Sequence, residues 1–148
     1  AEASYGKAMK VLPSSWGPES TLTADIAALL ANRALVRLKL AALSPLFSAE
    51  KAYKSCVDDC RAALDLKPDY PKALYRRARA HLALACKPYG TPGSAEQRAL
   101  LDACEADLAR VLELDPDNTE AALWRKAAPL LAAEFEGHRL PDALQEAR

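Results

Sequence analysis

The sequence predicts an all-α protein built from helical hairpins. Apolar residues recur every three or four positions along most of the chain, and the β-branched and aromatic residues that favour strands are sparse. Only 5 residues are glycine, while 10 are proline, and most of the prolines stand between the periodic segments. Because proline lacks a backbone donor and interrupts helices, these positions divide the chain into helices and turns.

Six helical segments follow in order. Residues 1–13 end at a proline, and the stretches PSSWGPES, LSPLFS and KPYGTPGS, rich in residues that end helices, separate later segments. Pro129 lies inside the last segment and is expected to bend or interrupt it. A short tail, residues 137–148, follows. The other five segments are predicted at about 22–42, 48–66, 71–85, 95–114 and 119–136.

Charge and composition narrow the classes of function. Lys and Arg together number 20, as do Asp and Glu, so bulk charge does not draw the chain to nucleic acid or to an anionic membrane. No apolar run approaches the roughly 20 residues that a membrane span requires, and the first residues lack the apolar stretch of a secretory signal. The chain starts at Ala1 without a methionine. We expect a monomeric module of a longer protein, without a nucleic-acid or membrane partner.

The four cysteines, at positions 56, 60, 86 and 104, favour a cytoplasmic protein. They form no CxxC pair, and no histidine stands at zinc-ligand spacing from them. Cys56 and Cys60 are four residues apart in a helical pattern, which suits two small buried groups or the edge of a metal site, and we favour core packing. Reduced thiols in an Ala-rich helical chain fit the cytosol better than a secreted disulfide scaffold.

The motifs of common enzymes are absent from the sequence. It contains no nucleophile elbow, no Gly-rich phosphate loop and no HExxH pair, and with 5 glycines and 2 histidines it offers little from which to build a catalytic site. We therefore expect a protein that is not an enzyme and that needs no cofactor.

An internal repeat organises the chain. The segments AALDLKPDYPKALYRRA and RVLELDPDNTEAALWRK share one pattern: the apolar end of a helix, then L-x-P-D, then a new helix. Pro68 and Pro116 are 48 residues apart, which a period of 34 with an insertion of 14 explains. The stretch CKPYGTPGSAEQRALL is the place for the inserted residues.

These units resemble the tetratricopeptide repeat, a helix-turn-helix of 34 residues. The resemblance implies a partial first repeat at 1–13, repeats with insertions at 27–68 and 71–116, and a closing helix at 119–136. It also implies a right-handed superhelix whose first helices line a concave groove. The residues that match the repeat's packing positions and its proline are Cys56, Cys60, Ala63 and Pro68 in one unit, and Leu74, Ala78, His81, Cys104, Leu108, Val111 and Pro116 in the next.

The resemblance also implies a ligand. Co-chaperones of this family hold the acidic C-terminal tail of the 70- and 90-kDa heat-shock chaperones in a carboxylate clamp, and Asn32, Lys72 and Arg76 match three of its positions. Two further clamp residues belong to a helix that would precede the first residue of this chain. The alternative is a repeat scaffold for another partner, without chaperone-tail binding. Further groove positions are expected at Leu35, Tyr75 and Arg79.

Two readings remain open for Trp124, which falls on the groove-facing side of the closing helix. An aromatic ring there either plugs the end of the groove or offers a shelf for a ligand.

Overall fold

The structure, a computed structural model, describes residues 21–86 and 88–134. This part of the chain consists of helices joined by short turns, without a strand, so the all-α prediction is confirmed. The proposed partial repeat at 1–13, the last two residues of the predicted closing helix and the tail at 137–148 lie outside the described residues. The helices are α1 (Thr21–Leu43), α2 (Leu46–Leu66), α3 (Pro71–Ala85), α4 (Ala95–Leu114) and α5 (Thr119–Glu134).

The predicted helix bounds agree well with those observed. Helices α3 and α4 begin and end where the sequence pattern places them. The turn between α1 and α2 is shorter along the chain than expected. Only Ser44 and Pro45 separate them. Pro45 is the N-cap of α2, with a φ of −60° that suits helix entry. Extra residues in this hairpin therefore lengthen its two helices rather than its turn.

Helix α5 continues through Pro129, contrary to an interruption at that residue. Proline removes the N–H that would bond to the carbonyl of Arg125, one turn earlier. Pro129 and Arg125 are both on the exposed side of the helix, where water can satisfy that carbonyl.

The start of α4 is tied to two other helices through one buried side chain. The hydroxyl of Ser94 accepts a hydrogen bond from the backbone N–H of Gln97 at 3.0 Å. In return, the side-chain oxygen Oε1 of Gln97 accepts one from the backbone N–H of Gly93 at 2.8 Å. The Gln97 amide nitrogen donates to the backbone carbonyls of Ala85 at 2.9 Å and Ala132 at 3.0 Å. Gly93 has a φ of +78°, which favours glycine. This network closes the insertion between α3 and α4 onto the helical core.

The helices stack in two layers. Each packs on the next in chain order, and α3 also contacts both α1 and α5. Helices α1, α3 and α5 therefore form one layer, which we call the inner layer, with α2 and α4 packed behind it. The main core lies around α3, where it includes Leu82. It continues onto α4 through Leu108 and onto α5 through Trp124.

Small residues allow the helices to approach closely. All four cysteines are buried and unpaired, which confirms the packing role expected for Cys56 and Cys60. Burial raises the pKa of Cys86 to about 11 and that of Cys104 to about 12, with smaller contributions to the latter from nearby acids. These thiols are therefore protonated and unreactive at neutral pH.

A buried Arg–Asp pair crosses each of the two hairpins at the same place. In the first hairpin, Asp59 of α2 accepts Nε of Arg33 at 3.1 Å and its Nη2 at 2.6 Å. In the second, the two oxygens of Asp107 in α4 each accept an Arg77 N–H at 2.7 Å. Each aspartate stands nine residues before the proline of the repeat, Pro68 or Pro116. The hairpins α1–α2 and α3–α4 therefore share a contact as well as a sequence pattern.

Replacement of Leu108 by alanine should strongly destabilise the protein. Its side chain is 1% exposed, and Leu→Ala changes at such sites cost about 2–5 kcal/mol through lost burial and a residual cavity. The matched control is Leu43→Ala, at a residue that is 86% exposed, for which we expect a change within about 0.5 kcal/mol. Urea denaturation measures both, and equal effects would contradict the packing described.

Replacement of Asp107 by alanine should lower the free energy of unfolding by about 3 kcal/mol, because it leaves the Arg77 guanidinium partly buried beside no carboxylate. Glu105→Ala is the control: Glu105 pairs with Arg125 at 2.6 Å with both side chains about half exposed, and its loss should cost at most about 1 kcal/mol. Thermal and urea unfolding of the two variants distinguish these outcomes. Equal losses would show that the buried pair is no more important than a surface one.

Candidate functional site

A cavity of about 480 Å³ opens on the inner layer, between α1, α3 and α5. None of the described residues that line it is acidic. Its apolar lining consists of leucines and alanines from α1 and α3. Three aromatic residues complete it, Tyr53, Tyr75 and Trp124. Four cations face it: Lys39, Lys72, Arg76 and Arg79. An apolar floor with cations and no competing acceptor suits an anionic ligand that also carries apolar groups.

Five of the six residues singled out from the sequence line this cavity. They are Leu35, Lys72, Tyr75, Arg76 and Arg79. The sixth, Asn32, is exposed on α1 and is not among the lining residues. It stands three residues before Leu35 and seven before Lys39, on the same stripe of the helix. Helix periodicity therefore puts Asn32 on the same stripe of α1 as Leu35, about one turn nearer the start of the helix.

Arg76 is held against the neighbouring helix of the inner layer. Its Nη1 donates to the backbone carbonyl of Ala31 at 2.6 Å. This bond fixes the guanidinium of Arg76 against the backbone of α1. Since Arg has five N–H donors in a planar fork, one such bond still allows bidentate contact with a carboxylate.

Arg79 lies on an aromatic shelf. Its guanidinium carbon is 3.9 Å from the centroid of the Trp124 ring and 5.9 Å from that of Tyr75, and its Nη1 donates to the Tyr75 hydroxyl at 3.3 Å. Trp124 is 6% exposed. Cation–π stacking of this kind orients the planar fork and restricts its motion. The group stacked on Trp124 is thus Arg79 of the same chain, and the two readings of Trp124, as a plug or as a shelf for a ligand, stay open.

Sequence reasoning did not place Lys39 and Tyr53 in this site. Lys39 had a signal in the sequence, since it follows Leu35 by four residues and so lies on the same face of α1. Tyr53 had none, because α2 belongs to the outer layer and its ring reaches the cavity only at the edge of the hairpin. There it also packs edge-to-face with Tyr89, with the ring centroids 6.0 Å apart.

A second cavity, of about 460 Å³, has the opposite electrostatic character. Three carboxylates line it, together with one described lysine, Lys54. His81 also lines it, and its Nδ1 is buried and has no hydrogen-bond partner among the described residues. Burial lowers the pKa of His81; Asp107 opposes this shift, while Arg77 and Arg61 add to it. His81 is therefore neutral at physiological pH. The carboxylates are those of Glu50, Asp58 and Glu96.

Comparison with known proteins does not assign this site to a family. No family model matches the chain, and no solved structure matches it. None of the described helices combines the length and the apolar character needed to cross a membrane. Within the described ranges, His, Cys, Asp and Glu form no group of three suited to a metal ion.

Acidification should destabilise the protein in part through His81. Because its pKa is lower in the folded chain than the usual value of about 6.5, the unfolded chain binds the proton more readily, and the free energy of unfolding falls as the pH drops below about 6.5. The measurement is urea unfolding at about pH 7 and about pH 5 for the parent and for His81→Gln. We expect the parent to lose more stability than the variant; an equal loss in both would contradict this role of His81.

Proposed function

We propose that the chain is a tetratricopeptide-type adaptor that binds the acidic C-terminal tail of a 70- or 90-kDa heat-shock chaperone in the cytoplasm. The single observation that carries the proposal is the cavity of the inner layer, where Lys72, Arg76 and Arg79 meet and no described lining residue is acidic. The repeated hairpins and their L-x-P-D turns support the family assignment. In this proposal the chain recruits a partner protein and does not catalyse a reaction on it.

The donors in the cavity fit the chemistry of a chain end. A C-terminal Asp offers two carboxylates a few ångströms apart, which require several donors and no nearby acceptor. Arg76 supplies a planar fork and Lys72 a mobile ammonium, and Asn32, exposed on the same stripe of α1 as Leu35, offers an amide. Such a set recognises an extended peptide end rather than a folded surface.

The apolar part of the lining supports a peptide over a small anion. Leu35 and Leu38, both partly exposed, provide a surface that inorganic phosphate or sulfate would leave unused. A side chain next to the terminal residue can cover that surface. The cations then contribute specificity for the free terminus, and the apolar contact contributes affinity.

The first test is fluorescence anisotropy of a labelled acidic peptide ending in Glu-Glu-Val-Asp with this chain. We expect a Kd in the micromolar range, about −8 kcal/mol, because a short peptide has few anchors. The affinity should fall with salt, since the contacts are ionic. Lys72→Ala and Arg76→Ala should each weaken binding about tenfold or more, as expected for loss of a charge-assisted hydrogen bond.

Two controls make this test specific. The first is the same peptide with an amidated C-terminus, which should not bind measurably. The second is Lys51→Ala, which removes an exposed cation of α2 that is not among the lining residues and should leave the affinity unchanged. Equal binding of the acid and the amide, or binding of neither, would overturn the proposal and favour a scaffold with another partner.

A further inference from the structure

The cationic surface of the inner cavity extends beyond the positions of the expected clamp. Lys39 of α1 and Arg79 of α3 line the same cavity as Lys72 and Arg76. Both follow the clamp positions of their helices toward the C-terminal end: Lys39 comes seven residues after Asn32, and Arg79 three after Arg76. A ligand whose terminus lies between Lys72 and Arg76 would therefore meet a second pair of cations as it continues along the groove.

This second pair is accompanied by hydroxyl groups. Tyr75 accepts a hydrogen bond from Arg79 and keeps its own O–H for donation. Tyr53 of α2 also lines the cavity. Burial raises the pKa of Tyr53, and the positive charge of Arg79 opposes that rise, as expected if the two groups are close. The lining of the cavity thus includes, beyond the clamp positions, an ammonium, a guanidinium fork held on Trp124, and two phenol groups.

This donor set exceeds what a single carboxylate requires. A phosphoserine or phosphothreonine carries a charge of about −1.5 to −2 and three acceptor oxygens, and it pairs well with an arginine fork and further donors. We infer that Lys39 and Arg79, with the hydroxyls of Tyr53 and Tyr75, form a phosphoryl site that selects peptides phosphorylated upstream of their free C-terminus. This inference rests on the proposed function, because the same cavity must hold the terminus.

Helix geometry gives the position of the phosphorylated residue. Lys72 and Arg79 are separated by about 10 Å along α3 at 1.5 Å per residue. The same distance separates Asn32 from Lys39 along α1, so the two walls agree. An extended peptide covers about 10 Å in three residues. A peptide that runs along these helices from a terminus beside Lys72 would therefore bring the third residue before its terminal one to Lys39 and Arg79.

The test compares three labelled free-acid peptides that differ only at that residue, which is serine, phosphoserine or glutamate. With the 148-residue chain we expect the phosphoserine peptide to bind about tenfold more tightly than the serine peptide, and the glutamate peptide to lie between them. Lys39→Gln and Arg79→Gln should each bring the phosphoserine-to-serine ratio toward one. Lys39→Gln should leave the serine peptide within about twofold of its parent affinity, because the clamp donors remain.

The control variant is Lys51→Gln, which removes an exposed cation outside the cavity and should leave the ratio unchanged. Lys39 is itself exposed, so its variant tests the site even if loss of Arg79 from its shelf disturbs folding. Equal affinity for the serine and phosphoserine peptides would overturn the phosphoryl site, as would a ratio that survives in Lys39→Gln. If the serine peptide binds and amidation abolishes its binding, the proposed function stands despite that failure; if no free-acid peptide binds, both proposals fail.

Discussion

The buried Arg–Asp pair of each hairpin is the constraint on which the inner cavity depends. Arg77 is the residue after Arg76, and successive residues on a helix point about 100° apart. When Arg77 turns toward Asp107 of α4, Arg76 faces the open side of the inner layer. Arg33 and Asp59 set the rotation of α1 in the same way. The pairs thereby decide which face of each helix is available to a ligand, although neither Arg77 nor Arg33 lines the cavity.

The electrostatics of the protein are local. Its formal net charge is zero, yet one cavity gathers four cations without a described acid, and the other gathers three carboxylates. Interactions between exposed charges decay within about 10 Å at moderate salt, so each cavity presents its own sign to a nearby ligand. A chain without bulk charge can therefore discriminate between anionic and cationic groups at different surfaces.

Rigidity differs among the groups that face the inner cavity. Arg79 is stacked on Trp124, and Arg76 is bonded to a backbone carbonyl, whereas Lys39 and Lys72 are exposed ammonium groups on long stems. A preorganised fork loses less conformational freedom on binding than a mobile lysine. The arginines thus provide geometry for recognition, and the lysines add charge that adapts to the ligand. The hydrogen bonds of the Gln97 amide support this arrangement from behind, because they connect α4 to two other helices, α3 and α5.

Helix type, most helix bounds and the cationic stripe of α3 followed from the sequence alone, because they depend on local properties: apolar period, Ser94 and Pro71 at helix starts, and the spacing of Lys72, Arg76 and Arg79 on one face. The presence of Lys39 and Tyr53 in the cavity that Arg79 lines, and the stacking of Arg79 on Trp124, were decided only by the tertiary structure. So were the ion pairs, in which partners 26 and 30 residues apart meet across a hairpin. A repeating pattern defines the face of a helix, but the neighbour that covers that face depends on how inserted residues and turns bring the helices together.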